Sequence, residues 1–220
     1  MSDTPIDVFI DLPSFPGPVQ AGRLWSHFRK GRESASFEYN KEWLANPHRF
    51  ALEPLLPLTD GTFHTNPGQS VFGAIGDSTP DRWGRILMRR AELARARTAN
   101  ESPHTLSELD YLLRVNDEAR QGALRFSQDG GQSFCAPPGS TPIPPLVNLS
   151  RLLHAADHFC RDDENAEDLR LLLAPGSSLG GARPKASVKD KKGNLCIAKF
   201  PRYDDEYNVV AWEAVADRKS

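Results

Sequence analysis

Only three cysteines, Cys135, Cys160 and Cys196, stand in the 220 residues. Their odd number and wide spacing fit neither a disulfide framework nor a zinc site, both of which need closely paired ligands, and suit a reducing cytoplasm. No stretch approaches the roughly 20 apolar residues of a membrane-spanning helix. The opening, MSDTPIDVFIDLPSFPG, lacks the basic start and apolar core of a secretory signal. An excess of one charge is missing too: 27 Lys and Arg face 29 Asp and Glu, a net charge of −2. Global charge therefore gives no argument for nucleic acid or an anionic membrane. There is no internal repeat. The remainder is ordinary, 39% hydrophobic and 25% charged, long enough for one large domain or two small ones with their own cores.

The first 75 residues are broken by Pro and Gly, and the alternating runs DVFIDL and SASFEYN read as strands of an antiparallel sheet. A helix is expected from about 80 to 97, with Thr79 as cap, Pro80 at the first helical position, and Trp83, Ile86 and Leu87 as its apolar stripe. Leu106, Leu109, Leu112 and Leu113 predict a second, short helix. GALRFSQDGG then gives a strand and turn. Pro137, Pro138, Pro142, Pro144 and Pro145 make a connector that discourages helix and central strand. The expected division is therefore 1–145, β-rich with helices, and 146–220. Beyond it, Leu149, Leu152, Leu153 and Ala156 share a helix face, and DDENAEDLRLLLA is expected to continue helically. Strands follow at 182–188 and 195–200 around the turn KDKKGN, and a last helix is expected from about Asp205. The fold class expected is α+β.

The stretch PGSSLGGARPK, residues 175–185, carries the chemistry. Glycines between a helix and a strand can take positive φ and bring backbone N–H groups to one point, as a phosphate requires. Gly176 and Gly181 have P-loop separation, but Ala182 and Arg183 follow where a P-loop needs Lys and Ser/Thr. The Rossmann G-x-G-x-x-G is absent, and Ser177 or Ser178 as a hydrolase nucleophile fails because G-x-S-x-G is not matched. In LCIAKFP the two-residue period puts Lys199 on the face of Leu195 and Ile197, where an apolar face packs or a cleft opens; such an ammonium needs an anion. Arg183 and Lys185 add charge beside the loop. Protein kinases use this layout, a glycine-rich turn over the nucleotide phosphates and a strand lysine that also pairs with a helix carboxylate. Here the helix would offer Glu206 or Glu213. The bland alternative is a tight connection followed by an exposed edge lysine.

Other clusters say less. Arg82, Arg85, Arg89, Arg90, Arg95 and Arg97 crowd one helix, which in a near-neutral chain reads first as a solvated face and second as a phosphate-backbone or partner surface. His154 and His158, at i and i+4, share a helix face as metal ligands do, but no third ligand is near in sequence.

GSSLGGARPKASV, then GNLCIAKFP and YDDEYNVVAWEAVA, resemble the HipA-like serine/threonine kinases, toxins of bacterial two-gene toxin–antitoxin modules. GRLW, FEYNKEWLANP, PLLPL and STPDRWGRILMRR resemble the β-rich domain and helix that open those proteins. The resemblance implies an ATP-dependent protein kinase using Mg2+, with 146–220 opening a kinase-like N-lobe. Gly180, Gly181 and Ala182 match the phosphate-covering loop, Lys199 the nucleotide lysine, and Ser178, with Ser177 adjacent, the self-phosphorylated serine. Expected partners are a helix-turn-helix antitoxin, which would link the chain to DNA indirectly, and a protein substrate of the translation machinery such as an aminoacyl-tRNA synthetase.

One departure matters. Kinase catalysis needs an aspartate base with a nearby asparagine and a magnesium-binding aspartate, and in the family these follow the region corresponding to residue 220. No residue is assigned to catalysis or to metal. The chain is therefore expected to be the N-terminal part of such a kinase and inactive alone; the alternative is a non-catalytic module that docks an antitoxin or regulates a separate kinase.

Overall fold

The computed structural model describes residues 5–135, 143–145, 148–176, 181, 183–202 and 204–206. The architecture is α+β, with a β-rich N-terminal sheet and helices. Packing divides the chain into two compact units, Met1–Thr79 with Leu106–Pro137, and Pro80–Thr105 with Pro138–Ser220. The long arginine-rich helix thus packs with the second unit, although chain order places it among residues of the first. The proline connector lies largely outside the described residues. No helix among the described residues is long and apolar enough to cross a membrane.

The first unit is built on β1 (Ile6–Ile10), β2 (Val19–Arg29), β3 (Arg32–Tyr39), β4 (Thr62–His64) and β5 (Leu124–Ser127). These form one antiparallel sheet in the order β4-β3-β2-β1-β5. β2 and β3 meet at a two-residue turn, Lys30–Gly31, whose φ values of 50° and 76° match the twist of a tight hairpin. One sheet face carries Val8, Leu24, Phe37 and Phe126 into the core, which is closed by Trp43 of the short α1 (Lys41–Ala45) and Ile75 of α2 (Gly73–Gly76). Leu112 of α4 (Glu108–Arg114) joins that core. α4 begins at a capping box, Ser107 with Asp110, and Glu33 of β3 accepts the N–H groups of Glu108 and Leu109 at 2.8 and 3.2 Å. Behind it, the buried Arg120 guanidinium donates to the carbonyls of Ser78, Leu112 and Val115 at 3.0, 3.0 and 3.2 Å. Burial pushes that guanidinium down to about 10, leaving it charged at neutral pH.

The second unit contains α3 (Arg82–Ala99), α5 (Leu149–Cys160), α6 (Ala166–Gly176) and a hairpin of β6 (Lys185–Lys189) and β7 (Leu195–Lys199). Its core gathers Trp83 and Leu87 of α3, Leu152, Ala156 and Phe159 of α5, Leu169 and Leu172 of α6, and Ala186 and Val188 of β6. Three expectations need correction here. The cap of α3 is Asp81, the extended residue directly before the first helical one, whose carboxylate accepts from Arg82 N, while the Thr79 hydroxyl is turned to Gly76 O at 2.6 Å. The acidic run after α5 does not continue helically: Asp162 takes φ +58°, and Asn165 starts α6 afresh by accepting from the N–H groups of Glu167 and Asp168. The face of β7 that bears Leu195 and Ile197 is not packed, and those side chains are 48% and 55% exposed. It is Ala186 and Val188, on the opposite face of the hairpin, that reach the helices. Residues 204–206 are turn and bend, and the last expected helix lies, from residue 207, outside the described residues.

Candidate functional site

The glycine stretch enters the hairpin at Gly181, whose φ of +77° is accessible to glycine but strained for other residues. Gly181 is held from both sides. Its N–H donates to the Asp81 carboxylate, and its carbonyl accepts the Trp83 backbone N–H at 3.1 Å. Four residues on, the Lys185 carbonyl accepts the Trp83 indole N–H at 2.9 Å. One aromatic residue at the start of α3 therefore clamps both ends of residues 181–185. The indole is only 2% exposed and meets the Phe159 ring edge-on at 5.0 Å, so the clamp is rooted in the unit's core. The hydrogen bonds from Gly181 and Arg82 hold the Asp81 carboxyl below its ordinary value, keeping it an anion.

Lys185 and Lys199 are direct cross-strand partners in β6 and β7, so both ammonium groups rise from one face of the hairpin. A methyl group built on Gly181 would lie 2.9 Å from Lys185 Nζ, so this lysine folds back over the glycine. Burial first, and the charge of Lys199 second, push the Lys185 ammonium below its ordinary value. Like charges directly opposed across a strand pair are destabilising, and the nearby Asp81 carboxylate acts in the other direction on Lys185. Two ammonium groups on one face suit an oxyanion such as phosphate, which would meet the lysines and not the Gly181 N–H, already taken by Asp81.

The other site residues expected from sequence separate as follows. Lys199 stands on the expected face and is exposed. Ser177, Ser178, Gly180, Ala182 and Glu213 lie outside the described residues. Glu206 is exposed. The carboxylate fixed near the hairpin is Asp205, which takes Arg183 Nη1 at 2.9 Å. Reading Lys185 as a mere neighbour missed its pairing with Lys199, which the period-two alignment of the two strands around KDKKGN could have revealed.

Fragments of the arginine helix serve the fold. Arg90 lies over the Phe159 ring at 4.3 Å and pairs with Glu164 at 2.7 Å and with Asp162, while Arg95 bridges buried Glu92 and Glu101 at 2.8 and 2.7 Å. Arg82, Arg89 and Arg97 remain exposed. His158 Nδ1–H donates to the Asp168 carboxylate at 3.0 Å, and that hydrogen bond raises the imidazole above its ordinary value. Asp168 also accepts from Asn165 N, so the pair fixes the turn between α5 and α6.

A family model described as the HipA N-terminal domain matches residues 17–127. The match covers just over half of the chain, from β2 through β5 with α3 and α4. The chain belongs to the HipA family. No curated protein matches it. The HipA-type match ends before the glycine stretch, so the reading of residues 175–206 rests on the geometry above and on the sequence motifs themselves. The chain thus carries a HipA N-terminal domain, and α3, inside the matched range, is also the element that grips Gly181.

Proposed function

We propose that this HipA-like chain is the N-terminal portion of an ATP-dependent protein serine/threonine kinase toxin, and that residues 146–220 open its kinase-like N-lobe. The observation that carries the reading is the Lys185–Lys199 pair beside left-handed Gly181. Lys199 takes the role of the nucleotide lysine, Lys185 shares the phosphate charge, and Gly180, Gly181 and Ala182 cover it. Glu206 or Glu213 would complete the lysine's ion pair. The donor set fits the phosphates of ATP. Among the described residues no aspartate is assigned to Mg2+, and on this reading metal and general base would be supplied by a catalytic lobe. A phosphoserine at Ser178, or at Ser177, would bring about two negative charges to the same lysines and compete with ATP. A helix-turn-helix antitoxin and a protein of the translation machinery, both in the cytoplasm, are the proposed partners.

A second reading is a non-catalytic module that docks an antitoxin or regulates a separate kinase, since the matched HipA N-terminal domain, residues 17–127, is common to both readings. Titration with a fluorescent ATP analogue and Mg2+ separates the two. The kinase reading expects saturable binding, weakened about tenfold or more by Lys199→Ala, in keeping with loss of a charge-assisted phosphate contact. Lys191→Ala, in the exposed turn, should leave it unchanged. Absence of binding, or equal binding by Lys199→Ala, would remove the nucleotide site and leave the docking module.

A further inference from the structure

The first unit carries a second cationic surface, unrelated to the glycine stretch. Along β2, every second residue on the face opposite the core reads Arg23, Trp25, His27, Arg29. Side chains on one strand face are about 7 Å apart, so the rings of Trp25 and His27 stand in file between two guanidiniums. Their partners on β3 are Glu38, Ser36, Ser34 and Arg32, and His64 of β4 lies across from Ser36. Trp25 is half-buried yet belongs to neither apolar cluster of the protein. His27 Nε2 shares a 2.7 Å hydrogen bond with Ser36 Oγ, which fixes the imidazole on this face. Beside Trp25 the sheet forms a shallow recess of about 240 Å3, lined also by Gln20, Arg23, Glu38 and Asn40.

Charge on this face is one-sided at its outer end. Arg29 and Arg32 are direct cross-strand partners, and Lys30 sits between them in the turn. All three are exposed, and none has an acidic partner among the described residues. The acids nearby are committed: Asp7 to Arg23 and Gln20 at 2.8 and 2.7 Å, Glu33 to the start of α4, Glu38 to the Thr62 hydroxyl. Two directly opposed arginines weaken a hairpin. Among the described residues no carboxylate offsets that cost, and a polyanion would.

We propose that the open face of β2 and β3 binds single-stranded nucleic acid, with phosphates on Arg29, Lys30 and Arg32 and bases stacked on Trp25 and His27. A flat sheet face with accessible rings favours a strand whose bases are unstacked over a duplex, whose bases are hidden. It also favours nucleic acid over a purely acidic polypeptide such as poly-glutamate, whose carboxylates have no flat ring to stack on Trp25 and His27. The proposal is independent of the kinase reading, because no residue of the second unit takes part.

The test is fluorescence anisotropy of a labelled single strand of about 12 nucleotides, a length within the range such surfaces cover, at several salt concentrations. The expected result is binding that falls as salt rises, weakened about tenfold or more by the double substitution Arg29→Glu, Arg32→Glu. Trp25→Leu should weaken it about tenfold and Trp25→Phe much less, in line with the loss of one stacked base. The thermal midpoint of the arginine variant should be nearly unchanged, since one directly opposed like-charge pair replaces another, and this shows that lost binding is not lost folding. The proposal is overturned by no binding at low salt, by full binding in the arginine variant, or by a duplex or poly-glutamate binding as tightly as the single strand.

Discussion

Gly22→Ala is expected to destabilise the first unit by about 3 kcal/mol, the upper end for forcing extra volume into a packed core. The single methyl added at Gly22 would lie 2.2 Å from the Glu38 carbonyl oxygen and 2.4 Å from Phe37 Cζ. The first neighbour is strand backbone and cannot swing aside. The second is a core ring with no exposed surface, stacked edge-on against Tyr39 at 5.0 Å and Phe72 at 6.3 Å. Gly22 sits in β2 next to the register irregularity against β1 between Val8 and Phe9, so a shift of β2 also disturbs the neighbouring pairing. Denaturant unfolding of the variant measures the loss. A change below about 0.5 kcal/mol, the scale of a neutral surface substitution, would mean that the sheet is not packed as described at this point.

Trp83→Ala is expected to cost about 3–5 kcal/mol, as for large core aromatics, and to abolish nucleotide binding with it. The indole is buried against Phe159, and its N–H is one of two bonds by which α3 holds residues 181–185. Trp83→Phe separates the two roles. It keeps most of the packing and the backbone bond to Gly181 but loses the bond to Lys185 O, worth about 1 kcal/mol. The variant should stay folded, with its nucleotide affinity reduced more than its stability. An affinity for the ATP analogue identical to that of the parent chain would show that the clamp does not position the lysines. On the proposed reading Trp83 is a positioning residue that acts through Gly181 and Lys185.

The sequence made the lysine strand legible for a local reason: period two needs only five residues, and Lys199 fell on the face expected. It could not say which face is covered, because the helices that bury Ala186 and Val188 come from elsewhere in the chain. The apolar stripe of α3 was likewise visible, but a stripe predicts burial and not that Trp83 donates to a carbonyl 102 residues away. The missed break between α5 and α6 did have a signal. Asn165 followed three residues later by Asp168 is a helix-start pattern, and it was masked by an acidic run whose composition suits helix. At the start of α3 the sequence pattern places the cap at Thr79, two residues early, because helix boundaries depend on where the backbone turns helical, here at Arg82. The polar face of β2 was hidden in the alternation that announced the strand, since the residues opposite an apolar face are ordinarily just solvated.

Lysine-directed labelling with an acyl-phosphate derivative of ATP tests the central claim most directly, because such a probe acylates an amine held against its phosphates. The account predicts label on Lys185 or Lys199, suppressed by excess ATP and diminished in Trp83→Phe. Label spread over Lys189, Lys191 and Lys192 and indifferent to ATP would contradict it, and would leave the paired lysines without a nucleotide to hold.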